Sequence, residues 1–171
     1  MTSDFTSCHL GGDEQLQRTS NADDIALAVL GMCRQASHIV RISSADLHCR
    51  AFSSPQLADA LSSLARINRY TEVRILVSRP RSIAAGGHHL LTLSRRLSTG
   101  VIMRTWALDE HEPHPEYILV DDCGLAELPG RDDEPASINF NNRVRVATLA
   151  AEFDDIWHKS KTGSDLRSFV L

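Results

Sequence analysis

His114, Glu116 and Asp121 stand in the order His-x-Glu-x4-Asp along the run His114-Pro-Glu-Tyr-Ile-Leu-Val-Asp121. Tyr117 to Val120 reads as a strand leading into a turn, so on the plainest reading His114 and Asp121 flank an ordinary strand. Another structural reading is a hydrogen-bonded pair, the commoner fate of a buried histidine beside a carboxylate. A second candidate is an anion site. Gly86 and Gly87 precede a helix whose first amides are free to face an anion, and Arg79 and Arg81 add charge nearby. Metal chemistry is not indicated. His88 and His89 are neighbours at a helix start and point apart, and His111 and His114 share a proline-containing loop that fixes no ligand geometry. The sequence holds no Gly-x-Ser-x-Gly, no Gly-x-Gly-x-x-Gly and no His-Glu-x-x-His.

Of the 18 basic side chains only two are lysines, Lys159 and Lys161. From Met1 to His158 no ammonium group can form a Schiff base, hold a pyridoxal ring or complete a phosphate-binding Gly-Lys-Ser loop. Charge is also sorted along the chain. Between Arg34 and Arg104 eleven arginines face three acids, a local net of +8, whereas between Asp109 and Glu134 ten acids face one base, a local net of −9. The plain expectation is that the two halves neutralise each other within the fold or across a dimer. The alternative is an anion site on the basic half.

These residues need elements to position them. Ser20 or Asn21 can cap a first helix with Asp23 and Asp24 in its first turn. His38 to Ser43 reads as a buried strand, and Ser54-Pro55 opens a second helix. Glu72 to Ser78 is a strand stopped by Arg79-Pro80-Arg81. A third helix follows Gly86-Gly87 and ends at Gly100. Val101 to Trp106, Tyr117 to Val120 and Leu125 to Leu128 read as further strands, the last two joined by a tight turn at Asp122-Cys123. A closing helix from Arg143 to His158 carries the apolar stripe Val146, Leu149, Ala150, Phe153, Ile156 and Trp157. Such alternation predicts an α/β fold, a three-layer sandwich with a mainly parallel mixed sheet flanked by helices, and sites beyond the carboxyl ends of the strands. One domain is expected over residues 21–160, between a flexible arm at 1–20 and a tail at 161–171.

At 171 residues and 42% apolar content, the chain can bury about two thirds of its unfolded surface. No run approaches the roughly 20 apolar residues of a membrane span. The first residues lack the order of a secretion signal, so the expected location is cytoplasmic. Cys8, Cys33, Cys49 and Cys123 form no Cys-x-x-Cys pair and are expected to be reduced and mostly buried.

The run His114 to Asp121 resembles the phospholipase D superfamily motif, His-x-Lys-x4-Asp, with Glu116 at the lysine position. The resemblance extends to the order of elements over about residues 22 to 160. It includes the closing helix, whose Phe153-Asp-Asp-Ile-Trp157 matches a Phe-x-x-x-Trp ending. The chain looks most like the small bacterial members of the superfamily. The resemblance implies a phospholipase D-like fold and a site assembled from two motifs, here from two identical chains. One histidine attacks phosphorus and the other protonates the leaving oxygen, while the aspartates orient the imidazoles and the lysines hold phosphate oxygens. Glu116 inverts the last role. At roughly 4 Å from a phosphate, a carboxylate in place of an ammonium exchanges attraction for repulsion of about 1 kcal/mol in water and about 4 kcal/mol at a protein-like dielectric. The superfamily's Gly-Ser-x-Asn segment has only imperfect counterparts, Gly130-Arg131 and Ala136-Ser137-Ile138-Asn139.

The expected function is a phospholipase D-like binding or assembly module, a pseudoenzyme that has lost phosphodiesterase activity and works as a homodimer with no cofactor and no metal. A second reading is an active nuclease or lipid phosphodiesterase in which His114 acts with an arginine such as Arg79 or Arg81 in place of the lysine. A third is nucleic-acid binding through residues 34–104, which ranks lowest because no aromatics interleave with the arginines there. A phosphate-containing ligand is the class these readings share.

Overall fold

In the computed structural model, residues 4–109, 111–130 and 134–160 are described. Seven strands form one sheet in the order β1-β7-β6-β5-β2-β3-β4. They are β1 (Gln17–Thr19), β2 (Ile39–Ser43), β3 (Glu72–Val77), β4 (Val101–Thr105), β5 (Tyr117–Val120), β6 (Gly124–Glu127) and β7 (Ala136–Asn139). The helices are α1 (Ala22–Gln35), α2 (Pro55–Ala65), α3 (Pro80–Gly86), α4 (His89–Arg96) and α5 (Arg143–Lys159). One apolar core joins α1, α2, α3 and α4 to one sheet face through residues such as Val40, Ile42, Val73 and Ile118. A second joins α5 to the other face through Leu76, Tyr117, Leu119, Phe153 and Trp157. The three-layer α/β sandwich is therefore as expected. β5 shows why its run is continuously apolar: alternate residues feed the two cores, so both faces are covered.

The parallel share of the sheet is smaller than expected. Only β2–β3 and β3–β4 pair in parallel, while β1–β7, β7–β6, β6–β5 and β5–β2 are antiparallel. Connections as short as the one from β5 to β6 can join only antiparallel neighbours, because a parallel crossover needs a dozen or more residues. Helix and strand alternate only up to β4.

Local signals account for most boundaries. The Asn21 side chain accepts the amides of Asp23 and Asp24 and caps α1. Ser54 Oγ accepts the Leu57 amide, and Pro55 stands in the first turn of α2. Pro80 does more than stop β3. It opens α3, a helix absent from the sequence reading, which ends at Gly87 with φ 64°. Within the arm expected to be loose, Phe5 is buried, and β1 pairs with β7 and covers the sheet edge. Its anchors are too few to show a period in sequence. The tail at 161–171 lies outside the described residues. Cys33 and Cys123 are buried, Cys8 and Cys49 half-buried, and none of the four is in a disulfide. Burial pushes the Cys33 thiol up to about 12, which leaves it unreactive.

Beneath α5, arginines from three strands converge. Arg41 makes a two-pronged contact with Asp154, at 3.0 Å through both nitrogens, and Arg74 reaches the same carboxylate at 3.1 Å and Glu72 at 2.7 Å. Arg104 donates to the Trp157 carbonyl at 2.8 Å and lies 4.5 Å over the Trp157 ring. On the acidic stretch, Asp122 and Glu127 pair with Arg143 and Arg145 of α5. Neutralisation of one half by the other was the expectation. In these pairs each half turns instead to α5, which packs across the sheet face between them.

Asp154→Ala should cost about 2–4 kcal/mol, because it leaves two half-buried guanidinium groups short of a counter-charge. Asp155→Ala, which removes only an exposed pair with Lys159, should cost under about 0.5 kcal/mol. Urea unfolding midpoints of the two variants measure the contrast.

Candidate functional site

β2 ends at Ser43, and the chain then turns sharply through Ser44, Ala45, Asp46 and Leu47. Leu47 is buried with φ 57°, a conformation that costs a leucine of order 1–3 kcal/mol and is held here by the Ser44 hydroxyl, which accepts the Leu47 amide at 3.0 Å. The antiparallel register Ser43↔Tyr117 brings the segment just before β5 against this turn. A cavity of about 500 Å³ opens there. It is lined by Ala45, Asp46 and His48 after β2, Ser78 and Arg79 after β3, Leu108 and Asp109 after β4, and Glu112, Pro113, His114 and Glu116 before β5, with Gly130. The site thus lies beyond the carboxyl ends of the parallel strands, as expected of such sheets.

His114 is locked between two serines. Its Nε2 is 3.0 Å from Ser43 Oγ and its Nδ1 is 2.9 Å from Ser78 Oγ. Ser43 has one proton and gives it to the Pro115 carbonyl at 2.7 Å. Nε2 must then carry hydrogen and donate to Ser43, so Nδ1 accepts from the Ser78 hydroxyl. The edge of the ring packs against Trp106, with centroids 5.2 Å apart. Burial lowers the His114 pKa to about 4; Asp46 opposes the shift and Arg79 adds to it. The imidazole is neutral at pH 7.

Glu116 points into the same cavity. Its Oε1 accepts the Ala45 amide at 2.8 Å, while its Oε2 is buried with no hydrogen-bond partner among the described residues. Burial raises its pKa, against the opposing pull of the Ala45 amide, the Ser44 hydroxyl and His48, and Asp46 raises it further. With Asp46, Asp109 and Glu112 also present, the lining holds four carboxyl groups and a single arginine.

Asp121 is not part of this site. It sits at the far end of β5, about 13 Å of strand away, and makes no pair with His114. Its carboxylate accepts the amides of Ser37, His38 and Ile39 at 3.0, 2.9 and 3.0 Å, and its own amide donates to the Ile39 carbonyl. This captured turn explains its positive φ of 53°, which an aspartate tolerates better than most residues. Of the anion candidates, Arg79 lines the cavity. Arg81, Gly86 and Gly87 do not: the glycines close α3 about 10 Å along its axis from Arg79. The Leu90 amide in the first turn of α4 is not free either, since His88 Nδ1 accepts from it. Asn139 lies outside the cavity lining, bound to the Glu14 carbonyl and the Asn141 amide, whereas Gly130 is at the rim. Arg131 falls outside the described residues.

Sequence reasoning placed Ser43 at a strand exit without giving it a role and did not single out Ser78. Serine at the exit of a strand is too common to mark, and only the sheet order places both beside one imidazole. Asp46 and Asp109 stand at strand exits, where sites are expected, but their loops converge in space alone.

Residues 21–169 match a family model described as a domain of unknown function, DUF7931. The chain belongs to the DUF7931 family. No curated protein matches it. Among solved structures, the DUF7931 chain is similar to Nuc from Salmonella typhimurium, a phospholipase D family member, at TM-score 0.59 and 16% identity, covering 87% of this chain and 96% of that one. It is similar to NucT from Helicobacter pylori at TM-score 0.61 and 10% identity, covering 87% and 100%. It is also similar to TrmBL2, an archaeal chromatin protein with a novel mode of DNA binding, at TM-score 0.65 and 11% identity. That match covers 89% of this chain and 54% of TrmBL2, so the DUF7931 chain spans about half the length of that protein. These likenesses establish a phospholipase D-like fold for the DUF7931 chain.

The folded pKa of His114 lies below its unfolded value, so the native state binds fewer protons between about pH 4 and 6.5. The stabilisation is complete above pH 6.5 and is lost as pH falls toward 4. Between pH 7 and 5, wild type should lose roughly 1–2 kcal/mol relative to His114→Asn, allowing for the ring's partial exposure. Urea midpoints of both proteins at the two pH values report this, and an unchanged difference would refute it.

Proposed function

We propose that this chain is a non-catalytic phospholipase D-like module that binds or assembles, with phosphodiesterase activity lost. The observation that carries the reading is the pair His114 and Glu116 in one acidic cavity. At the position of the superfamily lysine stands a carboxyl group bound to the Ala45 amide. The imidazole that would attack phosphorus instead donates from Nε2 to Ser43 and is held neutral, with both ring nitrogens engaged. A phosphodiester entering the cavity would meet carboxylates at Asp46, Asp109 and Glu112, each adding repulsion of about 1 kcal/mol or more at close range. Homodimerisation is part of the proposal and rests on the superfamily's pairing of two motifs. A stable monomer at high concentration, by size exclusion with light scattering, would remove that part.

One observation favours the competing reading of an active phosphodiesterase. Arg79 is exposed, lines the same cavity as His114, and makes no ion pair among the described residues. Arginine is a competent phosphate ligand. Nucleic-acid binding through residues 34–104 does not run through this cavity, which holds only one of those arginines.

Wild type and His114→Ala should hydrolyse a chromogenic phosphodiester at the same background rate. A wild-type rate that drops tenfold or more on both His114→Ala and Arg79→Ala would overturn the proposal in favour of the enzyme. Glu116→Lys reverses the sign of the critical position and should gain measurable sulfate or phosphate binding by calorimetry, at a stability cost of about 1–3 kcal/mol for the orphaned Ala45 amide. Failure to gain it would mean the acidic loops, not residue 116, exclude the anion.

A further inference from the structure

The parallel strands β2, β3 and β4 begin at the same end of the sheet, and α1, α2 and α4, which precede them, end there. That end is opposite the cavity. It collects Arg34 from the last turn of α1, Arg66 from the cap of α2, Arg69 from the loop beyond and Arg96 from the last turn of α4. All four are exposed, and none makes an ion pair among the described residues. The α4–β4 connection lies directly on α2, since a Cβ built on Gly100 would sit 2.9 Å from that of Ala65. Arg34 shares a groove of about 320 Å³ with Asp59, Leu64 and Ile67. Asp59 is the acid in that groove, and Glu72 at the start of β3 is tied to Arg74.

A cation at a helix C-terminus gains from the helix dipole, which accounts for Arg34, Arg66 and Arg96 taken singly. It accounts for neither Arg69 nor the two large apolar residues beside it. Ile67 is 57% exposed and Tyr70 is 75% exposed. Tyr70 is also held firmly. Its amide donates to Asn68 Oδ1 at 2.8 Å, the Thr71 hydroxyl donates to the Asn68 carbonyl at 2.9 Å, and Arg69 lies 4.8 Å over one face of the ring. An aromatic fixed on a short turn among arginines is the platform that the sequence reading did not find, because only the fold brings Arg34 and Arg96 to the end of the sheet that carries Tyr70.

We propose that this end of the domain, Arg34, Arg66, Arg69 and Arg96 around Ile67 and Tyr70, binds single-stranded nucleic acid, the arginines contacting phosphates and Tyr70 stacking on a base. A basic surface carrying an exposed aromatic suits a single strand, whose bases are free to stack. The surface is separate from the acidic cavity and does not depend on what the cavity binds.

The test is fluorescence anisotropy of a labelled single-stranded oligonucleotide with the full chain at two salt concentrations. Four phosphate contacts predict that affinity falls about 50-fold between about 50 and 200 mM salt. Arg66→Glu/Arg69→Glu should weaken binding at least tenfold and reduce that salt effect to about sevenfold. Tyr70→Ala should weaken binding about fivefold or more. Arg79→Glu, at the cavity, should change nothing, and circular dichroism confirms that each variant folds. The proposal is overturned by absence of binding at low salt, by loss on Arg79→Glu in place of Arg69→Glu, or by equal affinity for polyglutamate, which would mark an acidic protein surface as the partner. Equal binding of duplex with no effect of Tyr70→Ala would overturn the single-strand assignment.

Discussion

Asp121 ties the two halves of the sheet together. By taking a left-handed backbone and turning its carboxylate onto three consecutive amides at Ser37 to Ile39, it clamps the start of β2 to the end of β5. This is the junction where a parallel pair meets an antiparallel one, and its register decides everything at the opposite end. A slip of one residue would turn β5 inside out, moving Ile118 and Val120 out of one core and Tyr117 and Leu119 out of the other. With the register held, Ser43 faces Tyr117, so His114 comes to rest against Ser43 and Glu116 against Ala45. Asp121 bears on His114 through the register of the sheet, not by touching it.

The cavity that results is rich in carboxyl groups and holds its imidazole neutral. A nucleophilic imidazole needs a free nitrogen and a partner able to receive its charge. Here Nε2 donates to a serine, the ring is too dry to protonate near neutral pH, and the nearest arginine disfavours protonation further. Glu116 carries the same message from the other side. A carboxyl group with one buried oxygen unpartnered among the described residues and its pKa raised is an unfavourable thing to keep in a fold.

Charge elsewhere follows the helices. α5 draws Arg41, Arg74 and Arg104 beneath it through Asp154 and Trp157, and its own Arg143 and Arg145 take up Asp122 and Glu127. What remains is a domain with two poles. Asp46, Asp109, Glu112 and Glu116 gather where the parallel strands end, and Arg34, Arg66, Arg69 and Arg96 stand where they begin. Strand polarity explains the split, because loops after β2, β3 and β4 meet at one end while the helices preceding them finish at the other.

Much of this was readable from residue types alone. The Ser54-Pro55 start of α2, the buried run of β5 and the stripe of α5 are set by local sterics, capping and apolar spacing, which act over a few residues. Lysine's absence before Lys159 and the carboxyl group at position 116 were equally plain. β1 was not readable, since three residues with no period form a strand only when β7 offers an edge. Nor was α3, where Pro80 could equally end a strand or begin a helix. The pairing of His114 with Ser43 and Ser78, its separation from Asp121, and the gathering of Arg34, Arg66, Arg69 and Arg96 were decided by tertiary structure. The serine contacts of His114 join residues 71 and 36 positions apart and the Asp121 clamp joins residues 82 to 84 apart, and no local rule constrains such distances until the strand order does.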